Sequence, residues 1–449
     1  MPAPQIVWFR QDLRLADQAA VRAASATGPV IAAYVLDDET PADWRIGGAQ
    51  RWWLHHSLVA LDADLRARGN RLVLLRGRAG TAIPELARVT GADAVHALWH
   101  YEPWAQGQQK EVSAHVELRL HDGNYLMPPG TVRSRSGAPY RIFTPFWNAL
   151  KVQLPPPAPV VAPERIVAAE APAGDRLADW QLLPTKPDWS GGFDVWTPGE
   201  AGAAAALAAF AATARDYERA RNFPAEAGSS RLSPHLHFGE VSPAQVWHAV
   251  PDSDSFRREI GWRDFAAGLI DQFPDSHATP GRAQFAAFPH RDAPDELFKW
   301  QRGQTGYPIV DAGMRQLWAT GWMHNRVRMI AASFLVKHLL IDWRAGSRWF
   351  WDTLVDADLG NNSLGWQWIM GSGIDSSPFN RIFAPVTQSA KFETAGYIRE
   401  WVPELRGVSD AAIHAPWETW GAPGYPPPMV GHAEGRARAL AAYASLRAE

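Results

Sequence analysis

The sequence predicts an α/β domain followed by a larger all-helical domain. In the first third, short apolar runs alternate with helical patterns; a proline-rich stretch begins near residue 151, and from about residue 199 nearly every pattern is helical. Alternating strands and helices are typical of a doubly wound parallel sheet with right-handed crossovers. We therefore expect an α/β domain over residues 1–130, a linker over 131–198 and an all-helical domain over 199–449.

Four short runs of aliphatic and aromatic residues predict buried strands. The clearest helix between them covers residues 51–69 and is closed by Gly69. Neither G-x-G-x-x-G after the first strand nor G-x-x-x-x-G-K-[ST] occurs, so the usual dinucleotide fingerprint and the P-loop are both absent. The four strand runs are QIVWFR (5–10), VIAAYVLD (30–37), RLVLLRG (71–77) and AVHALWH (94–100).

Proline marks the predicted linker. VQLPPPAPVVAPE (152–164) excludes helix and favours an extended backbone. Beyond the linker, residues 201–221 are rich in alanine and should form a strong helix, whereas residues 310–321 and 325–340 show the i, i+3, i+4 apolar spacing of amphipathic helices. No strand-like alternation stands out in this part of the chain.

Composition limits the function classes. The chain of 449 residues is 46% hydrophobic and 20% charged, which is typical of a globular protein with two or three domains. It has no cysteine, so disulfides, thiolate nucleophiles and Fe–S ligands are excluded, and a cytoplasmic location fits. No apolar run is long enough for a membrane span, and a signal-peptide core is missing. A net charge of -3 gives no overall sign of nucleic-acid binding, although a local basic face is compatible with it.

The hydroxyl-rich segment SSRLSPHLHFGEVSP (229–243) has two interpretations. Ser229, Ser230 or Ser233 could cap a helix that begins there. Alternatively, hydroxyls, backbone N–H groups and Arg231 would bind a phosphate at the helix N-terminus. The segment alone favours the first.

Two further segments combine an acceptor or amide, an indole and arginine. Glu259, Trp262 and Arg263 share one helix face by their i, i+3, i+4 spacing. In TGWMHNRVRM (320–329), four residues lie on or near one face and Arg328 is nearby; the four are Trp322, Asn325, Arg326 and Met329. The first could be an exposed ion pair beside a core indole, or a pocket face that offers an acceptor, a stacking plane and a fixed cation. The second could be an amphipathic helix, or it could suit an aromatic, phosphate-bearing ligand.

DADLGNNSLGWQW (356–368) crowds carboxylates, amides and two tryptophans together. It could be a capped loop, a weak cation site or part of a tryptophan core. Two aspartates without a neighbouring histidine or glutamate make a poor metal site, and no H-E-x-x-H spacing occurs, so we expect no catalytic metal.

Together these segments resemble the photolyase/cryptochrome family, and specifically a DNA photolyase of the cyclobutane pyrimidine dimer type. The resemblance covers nearly the whole chain, and the block from 305 to 368 is long and specific. It implies a Rossmann-like N-terminal domain for an antenna pigment and a helical domain that binds FAD. The matching stretches are VWFRQDLRL (7–15), FTPFWNA (143–149), RNFPAEAGSSRLSPHLHFG (221–239), REIGWRDF (258–265), residues 305–344, DADLGNNSLGWQW, RIFAP (381–385) and REWVPEL (399–405).

The resemblance implies a set of FAD-binding residues. Arg328 and Asp356 would pair beside the flavin ring, Asp358 would accept from a ring N–H, and Asn362 would face the flavin N5. Diphosphate and ribityl binders match Tyr217, Ser229, Ser230, Arg231, Leu232 and Ser233, and the rest of the pocket matches Phe256, Glu259, Arg263 and Asn325.

The implied activity is light-driven repair of cyclobutane dimers in damaged double- or single-stranded DNA by a monomer. A reduced flavin would supply the electron, and the lesion would leave the duplex to reach it. Trp262 and Trp368 match the walls for the lesion, Glu259 its hydrogen-bond partner, and Asn325 and Met329 further contacts. Arg221, Arg326 and Arg381 match phosphate contacts.

Trp366 and Trp343 match the first two members of the family's electron-transfer chain. His290 stands where the outer third tryptophan is expected, so Trp300, Trp318 or Trp351 would finish a different route. The antenna also departs from one folate-binding subgroup, since Trp104 and Ala105 replace an Asn-Glu pair. Trp104, with Trp44, Trp52 or Trp53, could instead hold methenyltetrahydrofolate between indoles, or a deazaflavin or FMN. An empty antenna site is also possible.

Two other activities remain open. A (6-4) photolyase would need a histidine pair beside the lesion, where MHNRVRM here offers asparagine and methionine. A cryptochrome would signal in blue light without repair, but it often has a long disordered tail, and this chain finishes soon after the helical domain. A nicotinamide-dependent flavin oxidoreductase lacks its sequence fingerprint here.

Overall fold

The structure, a computed structural model, describes residues 2–419 and 423–446. The chain divides into two compact units. The first comprises residues 1–189, 194–214 and 230–274, and the second comprises residues 190–193, 215–229 and 275–449. In the described residues, all named strands lie in the first unit, and the second is built from helices. No described helix is both long and apolar enough to span a bilayer.

A five-stranded parallel sheet forms the centre of the first unit, with the order β3-β2-β1-β4-β5. Val7 of the first strand pairs with Ala32 on one side and His96 on the other. The apolar runs at strands β1 and β4 are buried along their whole length, as expected when helices cover both faces. The strands are β1 (Gln5–Phe9), β2 (Val30–Leu36), β3 (Leu72–Arg76), β4 (Ala94–Leu98) and β5 (Leu118–His121).

The predicted fold class is confirmed, since a doubly wound parallel sheet is followed by a mostly helical remainder. The helices are α1 (Ala19–Thr27), α2 (Gly48–Ala67), α3 (Ala79–Thr90), α4 (Pro103–Ser113), α5 (Phe143–Lys151), α6 (Glu200–Ala211), α7 (Tyr217–Ala220), α8 (Ser233–His237), α9 (Pro243–Ala249), α10 (Asp254–Gln272), α11 (Pro294–Gln301), α12 (Pro308–Thr320), α13 (Asn325–Ser333), α14 (Trp343–Thr353), α15 (Leu359–Met370), α16 (Pro385–Lys391), α17 (Ala395–Trp401) and α18 (His432–Ser445), with a π-helical turn at Phe334–His338.

One helix lies inside the segment that the sequence predicts as linker. Helix α5 packs on α10, and the rings of Phe143 and Trp262 stack with centroids 3.6 Å apart. FTPFWNALK carries an apolar stripe that buries Phe143, Phe146, Trp147 and Leu150, so this stretch forms part of the first unit's core. The proline-rich residues that follow form no regular element, as predicted.

Candidate active site

A cavity of about 230 Å³ in the second unit is lined by helices α13, α14 and α15 and by the turn that precedes α15. Its wall includes Asn325, Arg328, Asp356, Asn362 and Trp366. The sequence predicts these five residues as functional, and the fold brings them together. Met329 and Asp358 also line it.

An ion pair dominates the polar wall of this cavity. Arg328 donates from Nη2 to Asp356 Oδ2 at 2.8 Å and from Nε to the Met323 carbonyl at 2.7 Å. The Asp356 side chain is 3% exposed, whereas that of Arg328 is 23% exposed. The other carboxylate oxygen, Oδ1, is buried and receives no hydrogen bond from the described residues. Because a buried acceptor without a donor is costly, this oxygen is suited to a ligand N–H.

The turn into α15 orients two more polar side chains. Asp358 is the N-cap residue, and its Oδ1 accepts from the backbone N–H of Asn361 at 2.8 Å. Asn362 donates from Nδ2 to the carbonyl and hydroxyl oxygens of Ser347 at 3.0 and 3.1 Å. These bonds engage the amide NH₂ of Asn362 and fix its plane, so its remaining polar atom is the acceptor Oδ1.

Trp366 lies at the junction of the cavity and an aromatic cluster. Its ring is 2% exposed and contacts Phe350 at 5.0 Å and Trp300 at 6.1 Å between centroids. A Cβ at Gly346 would collide with the Trp366 ring, so glycine permits this helix contact. Trp300 is fully buried and donates its indole N–H to the Ala331 carbonyl at 3.0 Å.

The other tryptophans considered for electron transfer differ in their exposure. Trp343 is 2% exposed at the start of α14. Trp318 is 48% exposed and stacks on Trp349 with ring centroids 5.9 Å apart. His290, at the predicted outer position, is half-buried beside Phe288, and burial lowers the pKa of its imidazole. Of these residues, only Trp318 presents much of its surface to solvent.

Several of the predicted DNA-contacting residues in the second unit form local pairs. Arg326 donates to Asn222 Oδ1 and lies over the Phe392 ring. The guanidinium of Arg381 lies 5.4 Å from the Trp368 ring centroid, and that of Arg221 lies 5.0 Å from the Tyr217 ring centroid.

In the first unit, the serine-rich segment caps its helix differently from the prediction. The N-cap residue of α8 is Leu232, which provides no side-chain cap, and Ser233 is the first helical residue. Ser230 Oγ instead accepts from the Leu232 N–H at 3.3 Å, and Arg231 has a positive φ of 52°. The prediction that Ser229, Ser230 or Ser233 caps the helix is therefore wrong. The left-handed conformation of Arg231 forms a turn at the position where the sequence predicted a serine side chain capping α8.

Helix α10 carries the remaining predicted residues. Phe256 is buried against Phe210, and Trp262 has one face covered by Phe143. Arg263 donates to the carbonyls of Asn124 and Leu236. Glu259 is half-buried on the same helix.

The four tryptophans considered for an antenna site are not equivalent. Trp53 is fully buried, contacts Trp196 and Phe238, and donates its indole N–H to Glu240 at 3.0 Å. It is a core residue and is not available to stack on a ligand. Trp44 is the last residue of a short 3₁₀ turn and Trp104 lies in the first turn of α4, and both are half-buried.

Sequence reasoning missed Ser347, which holds Asn362, and Asn222, which holds Arg326. Neither lies in a pattern that singles it out, since each acts across a long sequence separation. It also missed Asp264, whose buried carboxyl accepts from the Met127 N–H at 3.0 Å. Burial raises the pKa of Asp264 to about 7.

Comparison with known proteins agrees with this arrangement. Residues 5–164 match the family model "DNA photolyase", and residues 256–445 match "FAD binding domain of DNA photolyase". A deoxyribodipyrimidine photo-lyase of Agrobacterium fabrum is 46% identical over 99% of this chain and 98% of its own length. The chain belongs to the DNA photolyase family.

Two further relatives of this photolyase-family chain bear on its function. The crystal structure of a bacterial class III photolyase from Agrobacterium tumefaciens superposes with a TM-score of 0.95 at 46% identity, covering 100% of this chain and 98% of that one. Cryptochrome-1 of Arabidopsis thaliana is 35% identical over 96% of this chain and 69% of its own length. The family includes both photolyases and cryptochromes.

The cavity fits the flavin of FAD, the cofactor of the matched domain. The flavin ring offers N–H and carbonyl groups, and the cavity offers the unpartnered acceptor Asp356 Oδ1, the cation of Arg328 and the fixed amide of Asn362. No cluster of three potential metal ligands occurs in the described ranges.

Proposed function

We propose that this protein repairs cyclobutane pyrimidine dimers in DNA with blue light, by electron transfer from reduced FAD to a lesion turned out of the helix. The observation that carries this proposal is the cavity in which Arg328, Asp356 and Asn362 meet Trp366. Polar groups that can pair with a flavin ring share this site with an indole, Trp366, which contacts a second indole, Trp300. When bound, FAD supplies light absorption and the transferable electron.

Arg328, Asp356, Asp358 and Asn362 would bind the flavin ring, with Asn325 at the cavity edge. The ion pair supports this assignment, because a buried carboxylate needs a fixed partner and still retains one acceptor. We assign the remaining contacts of FAD to Tyr217, Ser229, Ser230, Arg231, Leu232, Ser233, Phe256, Glu259 and Arg263.

The lesion would be held by aromatic, amide and carboxylate side chains. Trp262 and Trp368 offer indole faces, Glu259 an acceptor, and Asn325 and Met329 further contacts. Arg221, Arg326 and Arg381 would hold phosphates, which positions DNA without reading its sequence. Asn222 supports this role for Arg326, since it holds the guanidinium in one place.

Trp366 and Trp343 would carry electrons toward oxidised flavin. The outer end of the route needs a residue that a reductant in solution can reach. Trp300 contacts Trp366 but is fully buried, whereas Trp318 is 48% exposed, which favours Trp318 as the terminal member. Trp44 and Trp104 would hold an antenna pigment, a methenyltetrahydrofolate or a deazaflavin or FMN. We further propose a monomer in the cytoplasm, where a chain without cysteine suits the reducing conditions.

One alternative has support of its own, since cryptochrome relatives favour a photoreceptor without repair activity. A (6-4) photolyase would need a histidine pair where MHNRVRM offers asparagine and methionine, so the experiment includes that lesion as a comparison. The deciding experiment gives the reduced protein DNA with either lesion and counts restored thymines in blue light and in darkness. Light-dependent loss of the cyclobutane dimer alone supports the proposal. Repair of neither lesion by flavin-loaded, reduced protein would favour the photoreceptor.

A further inference from the structure

The second unit buries a lysine that has no acidic partner. Lys337 lies on the π-helical turn Phe334–His338 and is 0% exposed. Its Nζ donates to the carbonyls of Met370 and Phe379 at 2.9 and 3.0 Å, and lies 3.3 Å from the Phe379 ring centroid. No carboxylate pairs with it in the part of the chain that the structure describes. Lysine is rarely buried completely without a pair, so its two contacts need an explanation.

Both carbonyls belong to backbone that positions proposed DNA contacts. Met370 is the last residue of α15, the helix that carries Trp368, and Gly371 after it turns into the left-handed conformation with φ 84°. Phe379 lies two residues before Arg381 in the segment between α15 and α16. The amino group of Lys337 therefore hydrogen-bonds both to the end of α15 and to the loop that follows this helix.

The two backbone segments approach closely at this point. The Ser377 N–H donates to the Trp368 carbonyl at 3.3 Å, and a Cβ on Gly371 would lie 3.1 Å from the Phe379 Cα. Across the same contact, the Arg381 guanidinium lies 5.4 Å from the Trp368 ring. These contacts join the backbone that carries the indole to the backbone that carries the cation.

We infer that Lys337 is a positioning residue for DNA binding: its two carbonyl contacts hold Arg381 in register with Trp368. The inference rests on the proposed function, in which this pair holds the lesion and a neighbouring phosphate. Burial lowers the pKa of Lys337 well below its usual value, and both the amine and the ammonium have the two N–H donors that the carbonyls need. Lys337 itself touches neither lesion nor phosphate.

The test measures lesion binding and repair separately in the FAD-loaded full chain. Lys337→Met removes both donors and keeps an unbranched side chain. Its Kd for DNA with a cyclobutane dimer should rise about tenfold, with repair per bound lesion and flavin photoreduction within about twofold of wild type. The slope of log Kd against log salt should fall by about one, because each lost phosphate contact contributes about 0.9 for duplex DNA.

A double-mutant cycle shows whether Lys337 acts through Arg381. In an Arg381→Ala background, Lys337→Met should weaken binding by less than about twofold further. The matched control is Lys299→Met, an exposed lysine of the same unit, which should leave Kd unchanged. Lys337→Gln, which retains an amide donor on a shorter side chain, should recover part of the lost affinity.

Three results would overturn the inference. They are additive effects of Lys337→Met and Arg381→Ala, a slower photoreduction that accompanies the weaker binding, or loss of FAD and of folding in both Lys337 variants. The last would make Lys337 a core residue only. Failure of the proposed function is distinguishable, because it would appear as no binding or repair of the dimer by the wild-type protein.

Discussion

Arg328 and Asp356 form an ion pair of 2.8 Å whose second carboxylate oxygen is buried without a hydrogen-bond donor among the described residues. The arginine is thus fixed by protein, since Met323 accepts its Nε, while the aspartate still has one acceptor to offer. A buried acceptor without a donor is costly, so this oxygen suits a ligand that donates an N–H into the cavity.

Asp356→Asn should therefore impair FAD binding. The variant keeps the size of the side chain but removes the charge that pairs with Arg328, and loss of such a charge-assisted partner costs ~1.5–3 kcal/mol. We expect the Kd for FAD to rise at least about tenfold. Flavin absorbance relative to protein absorbance in the purified variant measures this. The control is Asp352→Asn, an exposed position on α14, and equal flavin content in both variants would contradict the assignment.

Asn362→Asp should change the flavin chemistry and the stability together. Nδ2 donates to two oxygens of Ser347, whereas a carboxylate in its place can donate to neither and repels the carbonyl oxygen. We expect a loss of ~1–3 kcal/mol in the free energy of unfolding, and a different reduced form of the flavin accumulating in blue light. Absorption spectra during illumination measure the second effect.

Ser347→Ala separates the effect of losing a hydrogen bond to Asn362 from the effect of placing a negative charge at position 362. It removes only the hydroxyl acceptor and leaves the carbonyl, so it should lower stability slightly and leave the photoreduction product unchanged. If Ser347→Ala altered the product as Asn362→Asp does, orientation of the amide rather than charge would decide the flavin chemistry.

Trp366→Phe should abolish photoreduction of oxidised flavin while leaving repair by chemically reduced protein largely intact. The indole lies in contact with both Phe350 and Trp300, so its loss interrupts the aromatic cluster at the cavity. Flavin bleaching under blue light and a repair assay after chemical reduction measure the two activities. Persistent photoreduction would mean that the chain does not begin at Trp366. Trp343→Phe and Trp318→Phe, compared with Trp300→Phe, would then map the route outward.

The sequence predicted the sheet from its local pattern, and it predicted the residues of the cavity through the resemblance to the photolyase/cryptochrome family. Buried parallel strands are mostly apolar along their length, which is visible at β1, β2 and β4. Strand β5 was missed, since Leu118–His121 is short, polar and half-exposed. Helix α5 was missed because the proline-rich sequence beside it suggested a linker. In the structure, Phe143 of this helix stacks on Trp262 of α10.

Contacts across long sequence separations could not be predicted. Nothing near Lys337 in the sequence indicates that Met370 and Phe379 provide its acceptors, and nothing near Ser347 indicates Asn362. The predicted N-cap of α8 was wrong for a local reason. Arg231 adopts a left-handed conformation that no pattern in SSRLSP indicates. Trp53 was one of the tryptophans considered as a partner of Trp104 in an antenna site, whereas its burial and its bond to Glu240 make it a core residue.

Glu259→Ala should retain FAD and lower the repair yield per absorbed photon several-fold. Glu259 lies on α10 at i−3 from Trp262, so both face the same side of that helix. Removing its carboxylate would remove the proposed hydrogen bond to the pyrimidine edge. Glu259→Gln keeps an acceptor of the same length and should have a smaller effect. Full repair efficiency in the alanine variant would exclude Glu259 from the lesion site.

Because of Asp264, the free energy of unfolding of the protein should fall as pH rises from about 4 to 7. Burial raises the pKa of this carboxyl from 3.8 to about 7, against the opposing hydrogen bond from Met127 and the charge of Arg263. Between these two values the folded state binds a proton that the unfolded state has lost, so deprotonation on going to higher pH favours unfolding. The effect is at most ~4 kcal/mol, at ~1.4 kcal/mol per pKa unit.

Asp264→Asn tests this directly, because the amide oxygen can still accept from the Met127 N–H and cannot ionise. Urea unfolding midpoints of wild type and variant should be compared from pH 5 to 8. The midpoint of the variant should exceed that of the wild type by an amount that increases as pH rises to about 7 and is constant above it. A constant difference across this range would mean that the carboxyl of Asp264 titrates near its ordinary value and that the first unit tolerates a buried charge there.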